Sequence, residues 1–125
     1  MYHVNEFTGS EWTVLVSTQP PAYDVTGMFL LWGSDRERLL EIGRTEIAAG
    51  NFHEARLSVV PGRRPAEHVL CILAADGTQR VELARRVRDS GGGITYLYWK
   101  EGTTLPVRRE LSVAFGEDGE GGAPE

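Results

Sequence analysis

The sequence predicts an α+β fold: a mainly antiparallel, curved sheet with two helices on one face. Three observations carry this reading. Over residues 27–101, β-rich and helical runs alternate as β-α-β-β-α-β, an order that folds into a sheet backed by helices. The two halves correspond at one offset of 41 residues, which pairs Asp35 with Asp76, Ile42 with Leu83, Arg44 with Arg85 and Gly50 with Gly91. The run from Met28 to Trp32 is apolar without alternation, as in a central strand covered on both faces or a strand lying under helices.

Taken in order, Trp12 to Ser17 is a β-rich run that ends at Gln19-Pro20-Pro21, where proline cannot donate to a ladder. Gly27 to Trp32 is the first strand of the repeat. Ser34-Asp35-Arg36-Glu37 fits a capping box, with Ser34 as the cap of a helix reaching Ala49. Leu39, Leu40, Gly43 and Ile47 fall on one stripe of that helix, and Gly50-Asn51 stops it. Glu54 to Val60 is a strand, Pro61 to Ala66 a turn, and His68 to Ala75 the next strand, antiparallel to its predecessor. Asp76 or Thr78 caps a helix to Ser90, with Leu83, Ala84 and Val87 inward and Arg85, Arg86, Arg88 and Asp89 toward water. Gly91-Gly92-Gly93 ends it. In the strand Ile94 to Lys100, alternation sets Tyr96, Tyr98 and Lys100 on one face and Thr95, Leu97 and Trp99 on the other. Leu111 to Phe115 alternates as a last, edge strand.

At 125 residues the chain is expected to form one domain, residues 1–116, followed by a disordered acidic tail, residues 117–125. The tail holds Glu117, Asp118, Glu120 and Glu125, so most of the net charge of −5 lies there and the body is nearly neutral. That balance argues against a nucleic-acid partner held by a basic surface. Met1 to Phe7 has no basic stretch leading into an apolar run, and the apolar runs fall far short of the ~20 residues of a membrane span. With the single Cys71, which can form no internal disulfide, these features point to the cytoplasm and to no membrane.

Catalytic and metal signals are sparse. Cys71 lies inside an apolar strand and reads as core. His3, His53 and His68 are isolated, and only His53 and His68 share a hairpin, so neither a metal nor a cofactor is expected. No Gly-x-Ser-x-Gly element is present, and the glycine run follows a helix instead of opening one. The aromatics are more informative. Tyr96 and Tyr98 share a face with Lys100, the only lysine, and form a floor on which a flat group would stack for about 1–3 kcal/mol per ring. Arg63 and Arg64 sit on the hairpin turn, where two guanidinium forks suit a phosphate or carboxylate.

His68 to Ile72, the helix of residues 76–90, and Ile94 to Lys100 with Thr103-Thr104 resemble the C-terminal strand–helix–strand of the mRNA cap-binding initiation-factor fold. They resemble more nearly its relatives, the basophilic-leukaemia-expressed family of phosphothreonine-lyase-like domains. Gly27 to Trp32 with its following helix resembles the family's opening, and Glu54 to Ser58 its small-residue and basic strand. A ferredoxin-like domain has nearly the same pattern. The resemblance implies a ligand on the concave face or at the hairpin loops, with Arg63 and Arg64 on phosphate and Arg56 adding charge. For a lyase it implies Lys100 as base and His68 as acid.

The expectation is therefore a non-enzymatic cytoplasmic domain that binds an anionic small molecule or phosphopeptide through Arg56, Arg63, Arg64, Tyr96, Tyr98 and Lys100. The alternatives are a phosphothreonine-lyase-like enzyme, and a homodimeric interaction module pairing through an exposed sheet face or edge.

Overall fold

In a computed structural model that describes residues 1–19, 21–61 and 67–105, the chain forms a six-stranded antiparallel sheet with two helices. The strands are β1 (Val4–Thr8), β2 (Trp12–Ser17), β3 (Gly27–Gly33), β4 (Glu54–Ser58), β5 (His68–Ala74) and β6 (Tyr96–Glu101). Helix α1 (Arg36–Ala48) joins β3 to β4, and α2 (Arg80–Asp89) joins β5 to β6. The sheet order is β1-β2-β4-β5-β3-β6. The two β-α-β units of the repeat thus interleave as a split unit, and the β1–β2 hairpin extends the sheet beyond β4. The expected strand at 111–115 and the tail of residues 117–125 lie outside the described residues, as do Arg63 and Arg64.

Alternation along each strand sorts the side chains into two buried layers. Phe29, Leu31, Ala55, Leu57, Leu70 and Ile72 meet Leu39, Leu40, Ile42 and Ile47 of α1 and Leu83 and Val87 of α2 in one core. Both helices therefore lie on one face. Helix α1 comes close to the sheet through Gly43, where a Cβ would stand 2.6 Å from the Cδ1 of Leu15. Leu97 and Trp99 pack against the same core, and Trp99 sits edge-on to Phe29 with ring centroids 5.0 Å apart.

The other face is not open. Met28, Leu30, Trp32, Val69 and Cys71 are at most 2% exposed and form a second cluster, with Trp12, Tyr98 and Leu105 against it. Strand β3 is buried along its whole length, as its unbroken apolar run requires.

Local sequence sets the ends of the helices. The cap of α1 is Asp35, one residue after the expected Ser34: its carboxylate accepts from the Arg38 N–H at 3.2 Å. Asp76 does the same for Thr78, at 2.9 Å, and opens a 3₁₀ turn (Gly77–Gln79) that leads into α2. Both helices end in a 6→1 bond: Asn51 N–H to Glu46 O at 3.0 Å, and Gly92 N–H to Val87 O at 2.8 Å. Gly91, Gly92 and Gly93 all have positive φ, a run that no other residue type follows at low cost. Arg38 reaches across from α1 to hold this turn, donating to Gly92 O, Val87 O and Ser90 Oγ.

Two expectations need correction. Val4–Thr8 is a strand although it was not read as one: three of its five residues are exposed, so it carries no core pattern and is held by pairing with β2. Arg86 does not simply face water. It donates through Nε and Nη2 to both oxygens of Glu46, at 3.0 and 2.8 Å, and Glu46 is only 4% exposed.

Candidate functional site

Strand register locates each residue read as a ligand contact. One row across the second face runs Val14–Arg56–Cys71–Leu30–Tyr98, and the next runs Val16–Glu54–Leu73–Met28–Lys100. Tyr98 and Lys100 are therefore neighbours on β6, while Arg56 lies three strands away. At ~4.8 Å per strand this is about 14 Å between backbones. The residues between them, Cys71 and Leu30, are buried. Arg56 is also paired, donating to Glu54 Oε2 at 2.9 and 2.6 Å.

The β6 group is looser. Tyr96 is 56% exposed, whereas Tyr98 is half-buried, and burial holds its phenol above the usual range against a hydrogen bond with Trp32. Lys100 donates to Thr104 O at 2.6 Å, and among the described residues no carboxylate pairs with it.

His68 and Lys100 do not meet. Their partners on β3 are Gly33 and Met28, its two ends, about 17 Å apart at the rise of a strand. Alternation also sets them on opposite faces. The His68 Nδ1–H donates to Ser58 O at 3.0 Å, and burial lowers the ring's pKa more than this bond raises it. His53 and His68 sit at opposite ends of the β4–β5 hairpin, because Glu54 pairs with Leu73. Among the described residues no three of His, Cys, Asp and Glu come together.

Cys71 is fully buried, and burial pushes its thiol up to about 12, although Lys100 and Arg56 pull weakly the other way. The thiolate is the reactive form. The folded protein is therefore expected to resist iodoacetamide at pH 8 for hours and to be alkylated at once in denaturant, a contrast read by mass spectrometry.

The described surface does hold a cavity, and of the residues considered so far only His53 lines it. It measures about 220 Å³ and is bounded by Tyr2, Ser17, Gln19, Pro21, Ala22, Tyr23, Gly50, Phe52 and His53. Four chain segments converge there, three fixed by backbone bonds and the fourth by the Tyr23 hydroxyl. Tyr2 N–H donates to Ala48 O at 2.8 Å, which secures the first residues to the end of α1. Ser17 N–H donates to His53 O at 2.9 Å, and Gln19 N–H to Ser17 Oγ at 3.1 Å. Gly50 takes φ +82° to end α1 and, lacking a side chain, leaves room for the Tyr2 ring.

Tyr23 fastens the cavity's inner wall. Its hydroxyl accepts from the His53 N–H at 2.9 Å and donates to Leu73 O at 3.3 Å. Burial raises its pKa, the His53 bond opposes this, and the nearby Glu54 charge adds to the rise. Tyr23→Phe leaves the His53 amide without its partner and is expected to cost about 1–3 kcal/mol in urea denaturation.

In the sequence His53 is an isolated histidine and Tyr23 belongs to no motif. The one available signal was that Tyr23 and Phe52-His53 each follow a chain breaker, Pro21 and Gly50-Asn51. At the other end of the sheet, Glu67 is a buried carboxylate that the sequence does not single out; its Oε2 accepts from Thr95 Oγ1, and its Oε1 has no hydrogen-bond partner among the described residues. No helix among the described residues is long and apolar enough to cross a membrane. No family model matches the chain, and neither a curated protein nor a solved structure matches it.

Proposed function

We propose that this protein is a non-enzymatic binding domain for a small molecule, with the cavity at Tyr23 and His53 as its site. One observation carries the reading: a concave space whose walls combine aromatic rings with a few polar groups, held by main-chain hydrogen bonds at Tyr2, Ser17 and Gly50 and by the Tyr23 hydroxyl. That combination is the usual make-up of a preformed ligand site. Catalysis has less support, since Lys100 and His68 are far apart and Cys71 is buried and protonated.

The test is a thermal-shift screen of the full chain against small metabolites and fragments, repeated on Ala22→Trp. Ala22 is an exposed loop residue on the cavity wall, so the indole fills the space without entering the core. A ligand at 100 times its dissociation constant adds about 2.7 kcal/mol, a rise of several degrees. Hits that vanish in Ala22→Trp support the reading. Hits that persist there, or a flat screen, refute it.

A second reading keeps the anionic or phosphorylated ligand. It is favoured by Lys100, a cation with no carboxylate partner among the described residues, on the same face of β6 as the exposed Tyr96 ring. Phosphorylated hits in the same screen that are lost on Lys100→Ala and retained in Ala22→Trp would support this site over the cavity.

A further inference from the structure

Resting on the cavity as the binding site, we infer that its ligand is an uncharged, planar molecule of one or two rings bearing hydrogen-bonding groups. Three features of the wall lead there. The first is size: about 220 Å³ is below the ~300–1,000 Å³ of sites for drug-sized ligands, so the occupant is small.

The second is charge. Among the described residues the nine that line the cavity include no Arg, Lys, Asp or Glu, so none of them compensates a buried ionic group, whose desolvation is costly. Two described acids adjoin the wall in sequence, the exposed Asp24 after Tyr23 and Glu54 after His53, and Glu54 is close enough to Tyr23 to raise its pKa. Arg56, bonded to Glu54 through two nitrogens, offsets its charge, so this pair draws neither an anion nor a cation into the cavity. A cavity of this kind does not fit the phosphorylated ligands expected from the sequence.

The third feature is the split between ring surface and polar groups. Tyr2, Tyr23 and Phe52 supply rings, and flat groups pack on rings in offset or edge-on arrangements. The Tyr23 hydroxyl is already engaged with His53 and Leu73, so Tyr23 offers its ring. Ser17, Gln19 and the His53 imidazole remain as donors and acceptors, enough to orient an amide or a ring nitrogen.

The test uses three probes of one shape and different charge: benzamide (neutral), benzoate (−1) and benzamidine (+1). Each is titrated into the full-length, ¹⁵N-labelled chain while the amide signals of Phe52, His53 and Ser17 are followed. Benzamide is expected to shift these signals with an affinity about tenfold above that of either ion, and to stop doing so in Ala22→Trp. Benzoate or benzamidine binding as tightly as benzamide, and lost in Ala22→Trp, overturns the inference about class and leaves the cavity standing as the site. Benzamide shifts that survive in Ala22→Trp, or that fall on other residues, overturn the cavity itself. No shift with any probe overturns the inference, and the metabolite screen with Ala22→Trp then decides whether the cavity binds anything.

Discussion

Replacing Arg86 with alanine is expected to destabilise the protein by about 3–5 kcal/mol, which lowers the melting midpoint by roughly 10–20 °C. The cost comes from what is left behind. Glu46 is 4% exposed in the interface between α1 and α2, and its two oxygens accept from Nε and Nη2 of Arg86. Asn51 Nδ2 provides a third bond at 3.0 Å. Without the guanidinium the carboxylate is buried with one neutral donor, and an uncompensated buried charge is far more costly than the net worth of the pair. The pair itself need not stabilise: a double replacement, Glu46→Met with Arg86→Met, is expected to recover most of the loss. Arg85→Ala is the control, because Arg85 pairs with Glu82 and Asp89 on the exposed side of α2 and its loss leaves stability nearly unchanged. Urea denaturation of the variants reads all of this. A cost for Arg86→Ala below about 1 kcal/mol, the value of an exposed pair, would show that Glu46 is solvated and the description wrong.

Arg86 also marks where sequence reading stops. Helix periodicity assigns Leu83 and Val87 inward, as found, but Arg86 falls at the border of that stripe. Whether such a residue meets water or a buried carboxylate depends on a partner 40 positions earlier, on another helix. What was legible was local or periodic. The apolar run of β3 announced a strand covered on both faces or lying under helices. The offset repeat announced two equivalent units, with Gly50 and Gly91 closing each and Asp76 among the caps read for the second, whereas the first is capped by Asp35 and not by the expected Ser34. The equivalence has limits that only packing reveals: Leu40 is buried, while its counterpart Val81 is 65% exposed. Strand order was not legible, since nothing in β3 states that β5 and β6 will flank it. Nor was β1, whose exposed VNEFT sequence has no periodic apolar signal. The candidate site was least legible of all. Tyr2, Ser17, Tyr23, Phe52 and His53 come from four segments, and none belongs to a motif. The basic and tyrosine residues that did form a pattern are divided by the sheet between β4 and β6, apart from Arg63 and Arg64, which lie outside the described residues.

The other large effect expected lies on the second face of the sheet. Leu30→Ala should cost about 2–5 kcal/mol, as much as a truncation beneath the helices. No helix covers Leu30, so a sheet with one open face would place it in water, where substitutions fall within about 0.5 kcal/mol. Its surroundings argue otherwise. Leu30 is 2% exposed, between Cys71 on β5 and Tyr98 on β6, with Met28 and Trp32 on either side along β3. Leu105 packs against the same cluster, and the Lys100 ammonium holds Thr104 O at 2.6 Å, so the chain leaving β6 bends back onto this face. Truncating Leu30 therefore opens a cavity between layers instead of trimming a surface. The size of the loss in urea denaturation distinguishes the two situations without ambiguity, because the expected ranges do not overlap. It also bears on function. A loss near zero would mean that the tyrosine face is an open floor after all, and would return Tyr98 and Lys100 to the front rank of ligand contacts. A loss of several kcal/mol means that the centre of this face is core, leaving only its β6 margin and the Tyr23–His53 cavity to meet a ligand.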